Sequence, residues 1–222
     1  MGCLGTLGGA ATWTGAAVVD AVTVEGAHHV TAAAVAAASG LVGAPAFRAS
    51  ALDARERVRA LPAVRDARVA IALPGAARIE LVERQAIGRW AAAGTEWFVD
   101  DDGVLFASAD PTGAPELRVM DDRRARTAGD RLDPALVSTT LRLAAIPAGE
   151  LRADMTRPSV RIDPGSAGIV LRSGGRLEIR FGGPERFDEK LAIVRAYFKN
   201  NPDRPLDYVD VARPEFIVVR PE

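Results

Sequence analysis

DAVTVEGAHHVTAAAVAAASGLVGAPAFRASALDARERVRALPAVRDARVAIALPGAARIELVER, residues 20–84, is the stretch that decides the fold. AVTVEGA (21–27) alternates apolar and polar residues with the period of two expected of a half-buried strand, and Gly26 closes it. Thr31 then stands as an N-cap ahead of an alanine-rich run to Ser39. Gly40 falls where a helix end needs a residue tolerant of positive φ. A second helix is predicted from Ser50 as N-cap, with Asp53 three residues on and Leu52, Val58 and Leu61 spaced along one face until Pro62 ends it. The rest reads as a hairpin. VRDARVAIAL (64–73) and ARIELVER (77–84) flank a Pro74-Gly75 turn, and Val69, Ile71, Leu73, Ile79 and Leu81 are expected on its buried side. The order is βααββ, and it contains no catalytic residues.

From residue 85 the pattern is strand-dominated, so the chain as a whole reads as α+β. QAIGRWAA and TEWFV are short apolar-rich runs separated by Gly94, and Asp101-Asp102-Gly103 supplies a turn before VLFA. Residues 108–131 are rich in Asp, Arg, Pro and Gly and read as a solvated loop with one short strand at ELRVM. Asp133 can cap a helix that has Pro134 at its first position and Leu136, Val137, Leu141 and Leu143 on its apolar side, before Pro147. SVRID and a hairpin of GIVLR and RLEIRF follow. A last helix, 187–200, has Leu191, Val194 and Phe198 as its buried stripe, with Asp188, Glu189, Lys190 and Arg195 outside. LDYVDV and EFIVVR close the chain as two strands.

At 222 residues the chain is long enough for two modest cores. The 28 basic residues are interspersed with 29 acidic ones, so no long-range field draws nucleic acid. Residues 1–19 carry no charge but include Gly2, Gly5, Gly8, Gly9 and Gly15, against the roughly 20 mostly apolar positions a spanning helix needs. They read as a partial transmembrane anchor behind a truncated start site, rather than a secretory signal, because no basic n-region precedes them. Cys3 is the only cysteine, so no intrachain disulfide forms, and a lipid-attachment signal would need an apolar stretch ahead of it.

Several constellations imitate chemistry. His28-His29 lacks a third ligand at helical or hairpin spacing and reads as a loop. Asp100 to Asp102 are consecutive, whereas a calcium loop needs alternating carboxylates, so a solvated turn is expected. GPERF and RSGG do not lead into a phosphate-cradling helix start, and no serine lies in a nucleophile elbow. No cofactor, metal or catalytic site is expected.

The chain does offer an edge. Phe216, Ile217, Val218 and Val219 are consecutive apolar residues close to the last residue, and a strand alternates its faces. Either this is a central strand covered on both sides, or it is an edge open to strand addition by a partner.

The order of elements, with LPAV (61–64), Arg68-Val69, Leu73-Pro74 and IELVER (79–84), resembles the POTRA domain of the bacterial FtsQ/DivIB cell-division family. WFVDDDGVLFA (97–107) and PLDYVDVARPEFIVV (205–219) are similar to two further family segments, in the family's order. Ala86 and Val211-Ala212 depart from its pattern. The resemblance implies a partial anchor (1–19), a POTRA domain (20–84) and an FtsQ-type β domain (85–222) with a C-terminal edge strand. It further implies a non-enzymatic, single-pass protein of the inner membrane, its bulk extracytoplasmic, acting as a septal divisome scaffold. FtsB-like and FtsL-like partners are then expected at Tyr208, Asp210, Arg213, Glu215, Phe216 and Val218, and other division proteins at the POTRA domain. The alternative is a POTRA-bearing translocation or outer-membrane assembly component, which would carry several POTRA copies or a following β-barrel.

Overall fold

The structure is a computed structural model that describes residues 17–121, 123–147, 149–165, 167–174 and 176–222. The expected anchor at 1–19 lies outside the described residues except for its last three, and so does Cys3. Among the described residues no helix is long and apolar enough to cross a membrane. In chain order the elements are β1 (Ala21–Glu25), α1 (Ala32–Ser39), α2 (Ala51–Arg59), β2 (Val64–Ala72), β3 (Ala76–Glu83), β4 (Gly88–Ala92), β5 (Thr95–Val99), β6 (Leu105–Phe106) and β7 (Arg118–Asp121). They continue as α3 (Pro134–Ala144), β8 (Ser159–Ile162), β9 (Ile169–Arg172), β10 (Glu178–Gly182), α4 (Phe187–Asn200), β11 (Tyr208–Asp210) and β12 (Val218–Arg220). The α+β class read from the sequence is what the chain adopts.

The chain divides into two compact units. The first takes the residues up to Ala27, Thr31–Ala60 and Asp66–Val82; the second takes His28–Val30, Leu61–Arg65 and Glu83–Glu222.

In the first unit a three-stranded sheet, ordered β1-β3-β2, carries α1 and α2. β1 and β3 are parallel, with Ala21 opposite Ala76 and Val24 opposite Ile79. Both helix starts form as the caps predict: the Thr31 and Ser50 hydroxyls accept from the N–H groups of Ala34 and Asp53 at 3.2 Å. Gly40 adopts φ 64°. Arg57 of α2 donates to the carbonyl of Ser39 at 2.6 and 2.9 Å, satisfying the exposed carboxyl end of α1. Arg55 ties α2 to β2 through Asp66 and the carbonyl of Ala67, both at 2.8 Å. That guanidinium, first through its hydrogen bond, holds the Asp66 carboxyl below its ordinary range.

Val35, Leu41, Ala54, Val58, Ala67, Ala77 and Ile79 form the core of this unit. Three details of the sequence reading change. Leu52 is exposed, because α2 buries its Ala54–Val58 side. Leu73 is exposed at the turn, and Ile71 is only half-buried. α2 stops at Arg59, before Pro62 acts. Val19 is fully buried and its N–H donates to Ala44, so the last residues ahead of β1 are part of the folded unit.

The second unit is one nine-stranded mixed sheet ordered β12-β11-β10-β9-β8-β7-β4-β5-β6. One register row crosses eight of its strands: Trp97, Trp90, Val119, Val160, Leu171, Ile179, Val209 and Val219 stand opposite one another in turn. An all-apolar row needs a cover, and α3 and α4 supply it with Val137, Leu141, Leu143, Leu191, Val194 and Phe198. The alternate row puts Ser159, Arg172, Glu178, Tyr208 and Arg220 on the other face. There Asp163, Arg172, Glu178 and Arg180 form a chain of ion pairs at 3.0 Å per link. Asp133 caps α3 and α4 spans the residues its apolar stripe predicts.

Lys190 corrects the expectation for α4. It is buried, not solvent-facing, and donates to the carbonyls of Phe181 (2.9 Å) and Gly183 (3.0 Å) at the end of β10. Burial pushes its ammonium below the ordinary lysine range.

Candidate partner edge

β11 lies between β10, to which it is parallel, and β12, to which it is antiparallel. Val209 anchors this corner: it is fully buried and stands opposite both Ile179 and Val219. β12 ends the sheet, and no described strand pairs with its outer side. An edge of this kind presents a row of unpaired backbone groups. Of the expected run 216–219, only Val218 and Val219 enter the strand, because Phe216 and Ile217 belong to the turn before it. Val219 faces the core, while Phe216, Ile217 and Val218 stay exposed, Phe216 at 69%.

The six residues expected to meet a partner all fall on β11, β12 or the turn between them, but their environments differ. The Tyr208 ring lies under the Arg180 guanidinium, 4.0 Å from its centroid, which makes it a wall of the charged face. Asp210 accepts from the N–H of Ala212 at 2.9 Å and so shapes the exit from β11. Arg213 accepts from the N–H of Phe216 through its carbonyl at 3.0 Å, which closes the turn. Glu215 is ion-paired to Arg186, whose guanidinium holds its carboxyl below the ordinary range and which also grips Glu189 at 2.8 Å. Arg186 itself is raised by these two carboxylates. Phe216 and Val218 are the apolar members left open to solvent. The sequence did not mark Arg186, since its pairing spans 29 positions and no local period reports it.

The decoys also resolve. Asp100 is fully buried, contrary to the solvated turn expected there: it accepts from Val104 N–H at 2.7 Å and pairs with Arg84 at 2.6 Å. The carboxylates of Asp100, Asp101 and Asp102 lie within 4.8 Å of one another. Arg84 and Arg65 already balance them, Arg65 at 3.4 Å from both Asp101 and Asp102. His29 is wedged edge-on against Phe98 and Phe106, with Nδ1 2.8 Å from Ser108 Oγ. That hydroxyl donates to the carbonyl of Asp110 at 2.5 Å, which makes the ring nitrogen the donor to it. A hydroxyl so directed is not poised as a nucleophile. The backbone N–H groups of His28, His29 and Val30 converge on the Glu83 carboxylate at 2.8 to 3.0 Å, which fixes the segment.

Comparison with known proteins places these features. The family described as "POTRA domain, FtsQ-type" matches residues 18–84. "Cell division protein FtsQ" of Caulobacter vibrioides (strain NA1000 / CB15N) is 28% identical over 173 residues, 76% of this chain and 52% of that protein. The protein of the same name from Chloroflexus aurantiacus is 30% identical over 152 residues, 68% of this chain and 54% of the relative. The one from Mycobacteroides abscessus is 29% identical over 162 residues, 68% and 48%. The chain spans about half the length of the curated relatives it matches. A βααββ unit that fits the FtsQ-type POTRA family, in a chain matched over 68–76% of its length by relatives of one name, leads to one assignment: the chain belongs to the FtsQ/DivIB family of bacterial cell-division proteins.

Proposed function

We propose that this chain is a non-catalytic scaffold of cell division, anchored by its N-terminal segment in the plasma membrane with its two folded units on the extracytoplasmic side at the septum. The observation that carries the reading is the outer side of β12, an unpaired strand edge flanked by the exposed side chains of Phe216, Ile217 and Val218. A partner strand that adds there gains main-chain hydrogen bonds, while the exposed apolar side chains supply specificity. The partners are FtsB-like and FtsL-like division subunits, as the family resemblance implies. The POTRA unit serves other division proteins.

The test compares co-purification of the FtsB-like and FtsL-like subunits with the parent chain, with Val218→Pro and with a chain lacking residues 215–222. Proline removes a backbone donor from β12 and obstructs the ladder. Both variants are expected to lose the partners, while circular dichroism shows the remaining chain folded. A folded truncation that still co-purifies them undiminished moves the partner site to the POTRA unit around Arg68.

A further inference from the structure

Three uncharged stretches of the first unit meet at one end of its sheet: residues 17–19, GLVGAPAF (40–47) and VAIALPGAA (69–77). Backbone hydrogen bonds join them. Val19 donates to Ala44 and accepts from Gly43, both at 2.8 Å; Ala46 donates to Ala17 at 2.7 Å; Asp20 donates to Gly75 at 3.0 Å. The chain path brings every adjoining element to the same place. β1 and β3 begin there in parallel, α1 has just ended at Gly40, α2 begins there after Ser50, and β2 ends there at Ala72.

Some residues of these stretches turn inward, among them Val19, Leu41 and Ala46. Five large hydrophobic side chains do not. Val18 is 44% exposed, Val42 62%, Phe47 72%, Leu73 76%, and Leu52 in the first turn of α2 64%. Ten large hydrophobic residues are exposed among the described residues, and half of them gather at this one end. Charge appears around the rim, at Asp20, Arg48 and Asp53 and, beside Gly40, at Arg57. A contiguous apolar surface rimmed by polar groups marks a docking surface.

We propose that this end of the unit is a lipid-docking surface, its turns resting in the boundary between headgroups and acyl chains of a bilayer. The occupant is argued from the chain itself. Ala17 lies at this end, and the 16 residues before it are uncharged, as are Val18 and Val19 after it, so the uncharged stretch of the polypeptide runs into the exposed turns. The rim carries two acids and two bases, so it has no net positive charge, and contact comes from burying apolar side chains and not from attraction to anionic lipid. Binding is therefore expected on neutral phosphatidylcholine and to survive high salt, unlike the electrostatic attachment of a basic patch. The proposal rests on the membrane-anchor part of the function above but is separable from it.

The experiment uses the full chain with Cys3→Ser and one introduced cysteine at a time: Phe47→Cys, Leu73→Cys or, as control, Val82→Cys. Val82 is also exposed, yet lies six residues along β3 from Ala76, roughly 20 Å away. Each is labelled with an environment-sensitive fluorophore and mixed with phosphatidylcholine vesicles with and without brominated acyl chains. The labelled positions are exposed, so the fold is not disturbed. Blue-shifted emission and bromine quenching are expected at positions 47 and 73 in low and high salt, and not at 82. Flotation of the protein with all three labels unquenched overturns the docking surface and leaves the anchor standing. Failure to float overturns both, and equal quenching at all three positions identifies indiscriminate adsorption and overturns the proposal.

Discussion

Arg186 and Glu215 form an ion pair that ties the residue just before α4 to the turn just before β12. The arginine sits at φ 54° and holds Glu189 with the same guanidinium, so the turn is fastened to a helix start. The candidate partner edge thus depends on a contact made outside its own ladder.

That contact gives β12 a pH dependence with a definite sign. The Glu215 carboxyl titrates lower in the folded chain than in the unfolded one, because Arg186 hydrogen-bonds its charged form. Its contribution is therefore complete above the unfolded value and is lost as pH falls through the folded one. Hydrogen-exchange protection factors at Val218–Arg220 should be level near neutrality and fall below about pH 4. Glu215→Gln should lower them already at neutral pH and remove the acid step. Parent-like protection in the variant would mean that the ladder alone holds β12.

A second prediction concerns the buried polar cluster beside Trp90. Asp121 accepts from Trp90 Nε1 at 3.0 Å and from Arg126 at 2.8 and 3.0 Å, and its side chain is fully buried. Asp121→Ala strands a buried guanidinium, which costs about 3–5 kcal/mol. Adding Arg126→Met should recover part of that loss, because the unpaired charge goes with it. Urea unfolding midpoints of the two variants measure the difference; equal midpoints would mean the arginine finds solvent.

The POTRA register is tested by two isoleucines on neighbouring strands. Ile79 is fully buried and Ile71 only half-buried. Ile79→Ala should destabilise the first unit by about 2–5 kcal/mol, and Ile71→Ala by clearly less. Thermal unfolding followed by hydrogen exchange in β3 separates them, and the reverse order would place Ile79 on the solvent side.

Two glycines at similar φ separate backbone strain from close approach. Gly94 (φ 81°) has open space where a Cβ would stand, whereas at Gly103 (φ 78°) that atom would lie 2.4 Å from the carbonyl oxygen of Leu132. Gly94→Ala should cost about 1 kcal/mol, the left-handed penalty alone. Gly103→Ala should cost about 1–3 kcal/mol beyond that, since the Leu132 backbone must move. Denaturant titration of both variants checks the gap.

Short-range signals in the sequence determined much of the chain. Thr31, Ser50 and Asp133 cap the helices they precede, Gly40 turns left-handed where α1 ends, and the stripe Leu191, Val194, Phe198 marks α4. Each depends on residues three or four apart, so the sequence carries it directly. The candidate edge was legible to the same extent: an apolar run near the end announces a strand, and family order suggests its use.

What tertiary structure alone decided depends on groups distant in the chain. Lys190 looks like a solvent-facing helix position until β10 offers it two carbonyls, and Asp100 looks like a turn residue until Arg84 meets it in the interior. Leu52 and Leu73 have the spacing of core residues but stand at an end of the sheet where nothing described packs over them. The order of the large sheet is set in the same way. β7 lies between β4 and β8, and β11 joins β10 in parallel, an arrangement that aligns one apolar residue from strand to strand beneath α3 and α4. A strand's own sequence fixes which of its residues share a face, whereas its neighbours are chosen by burial summed over the whole sheet, a quantity that no local stretch contains.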